Sequence, residues 1–155
     1  MGSDVRALAR ARRAARKLLA QGLYQLQIAG QPWQDIYHQY LADPESAGAD
    51  AEFFKELLMQ IADGRAALDA VLARYSDIEP ARLDPIEHGI LWMALYELEH
   101  RRDVPYRVVI SEAVELAKRF GDEGSPAFVN GLLDAIRKKL RGDGARDPEG
   151  AKQER

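Results

Sequence analysis

The chain has no cysteine. That excludes disulfides, zinc ribbons and thiol catalysis together, and it fits a reducing cytoplasm. No apolar run approaches membrane-spanning length and no signal-peptide pattern opens the chain. Met1-Gly2 is not a myristoylation signal, because Arg6 stands where a Ser or Thr is needed. Nucleophile elbow, P-loop and Rossmann fingerprints are all missing. No run of alternating β-branched residues marks a strand, since Val108-Val109-Ile110 is absorbed into a helical pattern. No internal repeat recurs at a fixed period.

What the chain has is a charge asymmetry on an ordinary globular composition. Its 155 residues, 46% of them hydrophobic, suit one domain with a real core. The formal net charge of -3 hides a basic start. Arg6, Arg10, Arg12, Arg13, Arg16 and Lys17 crowd it against Asp4 alone, whereas the stretch from Asp43 to Glu99 is clearly acidic. A basic end on an acidic body suggests one surface for a polyanion and another for a different partner.

Apolar spacing and stop signals lay out the helices. The first runs from about Asp4 to Ala29 and ends at Gly30, with Leu8, Ala11, Ala15, Leu18, Leu19, Leu23, Leu26 and Ala29 as its buried stripe. Pro32 opens a short second helix through Leu41, and Ala42 to Ala51 reads as a loop. Asp50 caps a third helix through about Tyr75, weakened in its middle by Gly64. Asp84-Pro85-Ile86-Glu87 is a clear start: an N-cap, a proline in first position and an acid where a capping box wants it. That helix ends near His100, and Asp103-Val104-Pro105 turns into the next. Val109, Ile110, Ala113, Val114, Leu116, Ala117 and Phe120 then form one apolar face, with Gly121 expected as a left-handed cap. Ser125-Pro126 restarts the chain as hydroxyl cap and first helical residue, and Phe128, Val129, Leu132, Leu133, Ile136 and Leu140 carry the last stripe. The short link places these two helices side by side. Residues 1–140 are expected as the folded domain, and 141–155, made of glycine, proline and charge, as a disordered tail. Six or seven helices with short connections make an all-α bundle.

An ordered set of blocks carries a family resemblance. They are Arg12-Arg13-Ala14-Ala15-Arg16 with Gln21-Gly22-Leu23-Tyr24-Gln25, then Phe54-Lys55-Glu56-Leu57-Leu58, then Ile90-Leu91-Trp92-Met93-Ala94-Leu95-Tyr96-Glu97-Leu98. Asp103-Val104-Pro105-Tyr106 leads into the most specific part, Ser111 to Gly121 followed by Ser125 to Asp134. Over nearly all of Arg12 to Leu140 the chain resembles the NusB family of bacterial transcription antitermination factors. The resemblance implies a compact all-α bundle of about seven helices in two packed helical subdomains. It implies a protein that binds a single-stranded leader or spacer element of ribosomal RNA transcripts. The expected partners are a small-subunit ribosomal protein acting as NusE and the elongating RNA polymerase. Some relatives self-associate, so a homodimer is among the expected states; no membrane, metal or cofactor is expected. The chain departs from the family pattern at Ala14, His88-Gly89, Trp92 and Gly124.

Candidate residues follow from both lines of reasoning. Arg6, Arg10 and Arg13 share one side of a helix and Arg12 and Arg16 another, and guanidinium pairs with phosphate through two parallel bonds. The competing reading is a solvated helix face. Tyr24 and Phe128 are candidate base-stacking platforms, with Tyr106, Lys118 and Asn130 as further RNA contacts; the competing reading for both aromatics is core. Glu87, Trp92, Tyr96 and Glu97 are candidates for the protein partner, against capping for Glu87 and packing for Tyr96. Asp35 before His38 and Glu97 before His100 have the spacing of di-iron carboxylate bundles. His100 stands beside Arg101-Arg102, which would repel a cation, so an enzyme is not expected. The runner-up reading is a helical adaptor that keeps the fold and protein docking without RNA specificity.

Overall fold

After the first, each helix of this chain starts at a proline or a capping side chain. The computed structural model describes residues 2–142. Among them are six α-helices: α1 Gly2–Ala29, α2 Trp33–Ala42, α3 Ala51–Tyr75, α4 Pro85–His100, α5 Tyr106–Phe120 and α6 Ser125–Arg141. No strand occurs among the described residues. The fold is all-α as expected, with six α-helices rather than seven. Two short 3-10 helices, Pro44–Gly48 and Pro80–Arg82, complete it. The first interrupts the expected loop, because Pro44 pre-sets the backbone and the Asp43 side chain accepts from the Glu45 N–H.

The chain divides into two compact units, the first ending at Gly64 and the second beginning at Arg65. The division falls inside α3, where Gly64 leaves helical geometry at φ -105, ψ 15. In the first unit, Leu19 and Leu23 of α1, Ile36 and Tyr40 of α2, and Phe53, Phe54, Leu57, Leu58 and Ile61 of α3 are buried. The Tyr40 and Phe54 rings stack with centroids 3.7 Å apart. Asp50 caps α3 by accepting from the Phe53 N–H at 3.0 Å, and its own N–H donates to Ala11 O at 2.9 Å. Gly30 ends α1 in the left-handed region at φ 66, with its N–H donating to Leu26 O. The buried stripe of α1 is shorter than its apolar pattern: Leu8 is 46% exposed and Ala29 is exposed, since the unit gives them nothing to pack against.

In the second unit α4 packs against both α5 and α6, which pack on each other. Every residue from His88 to Leu98 is buried. Asp84 caps α4 as expected, accepting from the Ile86 N–H at 2.8 Å. Glu87 does not close a capping box; its Oε2 accepts the Ser125 hydroxyl instead. Two further expectations change at the α5–α6 junction. Gly121 is extended at φ -88, ψ -172, not left-handed. Space demands the glycine: a Cβ there would lie 2.6 Å from Ser125 Oγ and 2.8 Å from Ala117 O. Ser125 is the first residue of α6 rather than its cap, and Asp122 Oδ1 accepts the Gly124 and Ser125 N–H groups.

Arg141 corrects the expected boundary of the folded region. It is the last residue of α6 and only 5% exposed. Its Nε donates to Leu98 O at 3.1 Å, Nη1 to Val104 O at 2.6 Å, and Nη2 to Glu97 O and Arg101 O at 3.0 and 3.1 Å. A side chain at the end of α6 thereby satisfies carbonyls at the end of α4 and in the turn that follows. The remainder of the expected tail, 143–155, lies outside the described residues.

Candidate nucleic-acid interface

Helical geometry sorts the arginines of α1 into two sets. At about 100° per residue, Arg6, Arg10, Arg13, Lys17 and Tyr24 fall along one line of the helix. Arg6, Arg10 and Arg13 are exposed, and Tyr24 is 40% exposed. At about 1.5 Å per residue, this row runs about 27 Å from Arg6 to Tyr24. It is a line of cations ending in an aromatic ring, with Ile28, 60% exposed, one turn further on. Lys17 lies 3.9 Å from Glu45. Sequence reasoning counted Lys17 among the cluster without assigning it to the row; its spacing of four from Arg13 is the signal that finds it.

Arg12 and Arg16 point elsewhere. Both guanidinium groups sit over the Phe53 ring, at 5.1 and 5.0 Å. Arg12 Nε is 3.7 Å from Asp50 Oδ2, and Arg16 is only 4% exposed. These two cations pack the start of α3 against α1, and Arg16 has no surface on which to meet a phosphate in this conformation. Their cation–π contact with Phe53 is sheltered, which strengthens it relative to an exposed pair.

In the second unit the structure brings Tyr106, Lys118 and Asn130 to one groove of about 560 Å³ between α5 and α6. Ile110 and Val114 form its apolar part. Tyr106 is buried, with the Arg137 guanidinium 4.4 Å from its ring centre. Arg137 also holds Asp134, donating to Oδ1 at 2.9 Å, and that bond keeps the Asp134 carboxyl below the usual range against a smaller opposing effect of burial. Lys118 is exposed and pairs with Glu115 at 3.3 Å. Asn130 is exposed too, whereas Phe128 is half-buried in the first turn of α6 and does not line the groove.

The residues expected on the protein-partner face sit largely inside. Trp92, Tyr96 and Glu97 are 3%, 9% and 1% exposed, because α4 is covered on all sides. Glu87 alone of the four is half-exposed. A pair of contacts not anticipated from sequence explains how Trp92 is accommodated. Asp69 Oδ1 accepts from Trp92 Nε1 at 2.8 Å and lies 2.6 Å from His88 Nε2. Two departures from the family pattern thus share one carboxylate. Of the residues considered for a metal, His38 and His100 are exposed and Glu97 is buried. Among the described residues no group of three or more His, Asp or Glu is arranged to hold a metal ion. None of the described helices is long and apolar enough to cross a membrane.

Comparison with known proteins agrees with the all-α fold. The model of the NusB family matches residues 13–138. The transcription antitermination protein NusB of Photorhabdus laumondii is 44% identical over 133 residues, covering 83% of this chain and 96% of that protein. The solved structure of T. maritima NusB superposes with a TM-score of 0.72 at 30% identity, covering 82% of this chain and 90% of the other. A solved complex of the antitermination factors NusB and NusE with dsRNA contains a chain that superposes with a TM-score of 0.71 at 22% identity, covering 82% and 96%; this is a likeness of fold.

Proposed function

The chain belongs to the NusB family, and from that premise we propose that it is a transcription antitermination factor acting in the cytoplasm. It binds a leader or spacer element of ribosomal RNA transcripts together with the ribosomal protein NusE, and the assembly joins elongating RNA polymerase. The observation that carries the RNA half of this reading is the row on α1 of exposed Arg6, Arg10 and Arg13 with half-buried Lys17, leading to Tyr24. Guanidinium groups follow the phosphates, and an aromatic face accepts an unstacked base. Tyr106, Lys118 and Asn130 on their groove, with Phe128, are the proposed RNA contacts of the second unit. Glu87 is the proposed direct contact for the protein partner. Trp92, Tyr96 and Glu97 support that contact by holding α4 in place, and Arg12 and Arg16 support the RNA face by holding α1 on α3. The mechanism is assembly: two modest contacts on one scaffold reinforce each other through effective concentration.

The test is fluorescence anisotropy of a labelled ribosomal-leader RNA, titrated with the protein alone and with NusE. Sequence-selective binding that tightens with NusE is the expected result. A single-stranded and a double-stranded form of the same element separate base reading from shape reading. Binding of NusE without RNA selectivity would replace this reading with the adaptor. Binding of neither would leave the family assignment without its function in this chain.

A further inference from the structure

We propose that a cleft between α1 and α2 receives one unstacked nucleobase of the RNA whose phosphates follow the exposed row on α1. The inference rests on the RNA-binding reading above and assigns it a base-reading pocket.

The cleft measures about 120 Å³. Liquid water takes about 30 Å³ per molecule, so this is room for a single planar ring and not for a peptide segment. Its inner wall is apolar and aromatic, built from Ile36, Phe54 and Tyr40. Its rim carries Gln21, Gln25, Gln39 and Asp43. No lysine or arginine lines it, so phosphate is not the ligand. Carboxamides and a carboxylate are the groups that read base edges, because each base presents a fixed pattern of donors and acceptors.

Hydrogen-bond accounting leaves capacity at this site. Gln25 Nε2 donates to Gln31 Oε1 and to Gln39 Oε1, which commits that end of the rim. The Gln21 carboxamide and Gln39 Nε2 have no hydrogen-bond partner among the described residues. The Tyr40 hydroxyl is buried and also lacks one, in a side chain only 5% exposed. Burial, then Tyr37 and Asp50, push its pKa up, so it is held as a neutral donor. A buried hydroxyl without a partner is unfavourable, and a base edge that parts the cleft wall far enough to reach it relieves that cost.

Position ties the cleft to the row. Gln21 stands four residues after Lys17 and three before Tyr24, within about 40° of Lys17 around the helix. A strand tracking Arg6 to Lys17 therefore arrives at the rim of the cleft.

The experiment is an abasic scan. A labelled single-stranded ribosomal-leader RNA is made with each nucleotide in turn lacking its base, and binding is measured to the wild-type protein, Gln39→Ala and Tyr40→Phe. Gln39 is exposed and Tyr40→Phe removes a hydroxyl bonded to nothing in the free protein, so both variants are expected to keep the wild-type thermal midpoint. In the wild type one position is expected to cost about tenfold in affinity, the scale of one or two lost hydrogen bonds with a stacked ring. In both variants that cost falls below about threefold while the others stay unchanged. An identical abasic profile in all three proteins would overturn the pocket and leave the arginine row standing. Loss of NusE binding with unchanged RNA binding would overturn it in favour of a protein side chain in the cleft. No RNA binding by the wild type would remove the pocket and the reading it rests on together.

Discussion

Arg141→Met keeps most of the length of this side chain and removes its donors, and its cost can be worked from the acceptors left behind. Four carbonyl oxygens receive the guanidinium. Two of them keep another partner, since Glu97 O also accepts from the Arg101 N–H and Arg101 O from the Val104 N–H. Leu98 O and Val104 O have none besides Arg141 among the described residues, and both residues are buried, at 0% and 4% exposure. A buried group stripped of its partner costs about 1–3 kcal/mol. Two such groups, offset by no longer burying a charge, give about 3 kcal/mol, or about 10 °C in thermal midpoint for a chain of this size. Circular dichroism melting checks it. Lys138→Met is the control, since Lys138 makes only a half-exposed pair with Asp134 at 3.5 Å and is expected to shift the midpoint by less than about 2 °C. A chain ending at Leu140 is expected to behave like Arg141→Met. If Arg141→Met melts within about 3 °C of the wild type, the carbonyls find other partners and the reasoning fails.

Gly121→Ala is expected to lower stability by about 1–3 kcal/mol although its backbone suits any residue, because the new methyl enters the space of Ser125 Oγ and Ala117 O. The loss should be smaller in a Ser125→Gly background than in the wild type, and equal losses in the two backgrounds would locate the strain elsewhere. Arg12→Ala is expected to lower the melting midpoint through its contacts with Phe53 and Asp50, whereas Arg10→Ala, on the exposed row, is not; equal midpoints would contradict the sorting of α1 into two faces. The depressed carboxyl of Asp134 contributes stability above its unfolded pKa of about 3.9 that is lost as pH falls through the lower folded value. In Arg137→Gln the Asp134 titration followed by NMR should move up, and an unmoved midpoint would show that Arg137 is not the cause.

The helices were legible because their apolar residues recur at 3.6 spacing and their ends carry strong local signals. Asp84-Pro85 and Gly30 behave as the sequence implies. What sequence missed depends on groups far apart in the chain. Gly121 looks like a conformational cap until Ser125 is seen to occupy the space of its side chain. Arg141 looks like the first residue of a charged tail, since nothing local reveals four carbonyls about forty residues earlier. The interior position of Trp92, Tyr96 and Glu97 had a visible sign in the unbroken run Ile90 to Tyr96: a helix apolar all round is a buried helix, with no face free for a partner. The 3.6 spacing also divides the exposed row on α1 from the arginines over Phe53, but only the position of α3 reveals which set turns inward.

That division limits how the basic start of the chain can be read electrostatically. Six cations crowd residues 6–17, yet Arg16 is buried and Arg12 is part-buried against Phe53 and Asp50. A cation already desolvated against protein releases no counterion when RNA arrives, whatever it contributes to stability. Of the other cations on this helix, Arg6, Arg10 and Arg13 are exposed and Lys17 is half-buried beside Glu45. For a single strand each contacted phosphate adds about 0.7 to the slope of log affinity against log salt. Replacing Arg6, Arg10 and Arg13 together by alanine should therefore flatten the slope by about 2. Replacing Arg12 and Arg16 should leave it unchanged, even where weakened packing of α1 on α3 lowers affinity at every salt concentration. Contacts elsewhere on the protein cancel from these differences. A double variant that flattens the slope as much as the triple one would mean that both faces of α1 meet the RNA, and that α1 leaves α3 to do so.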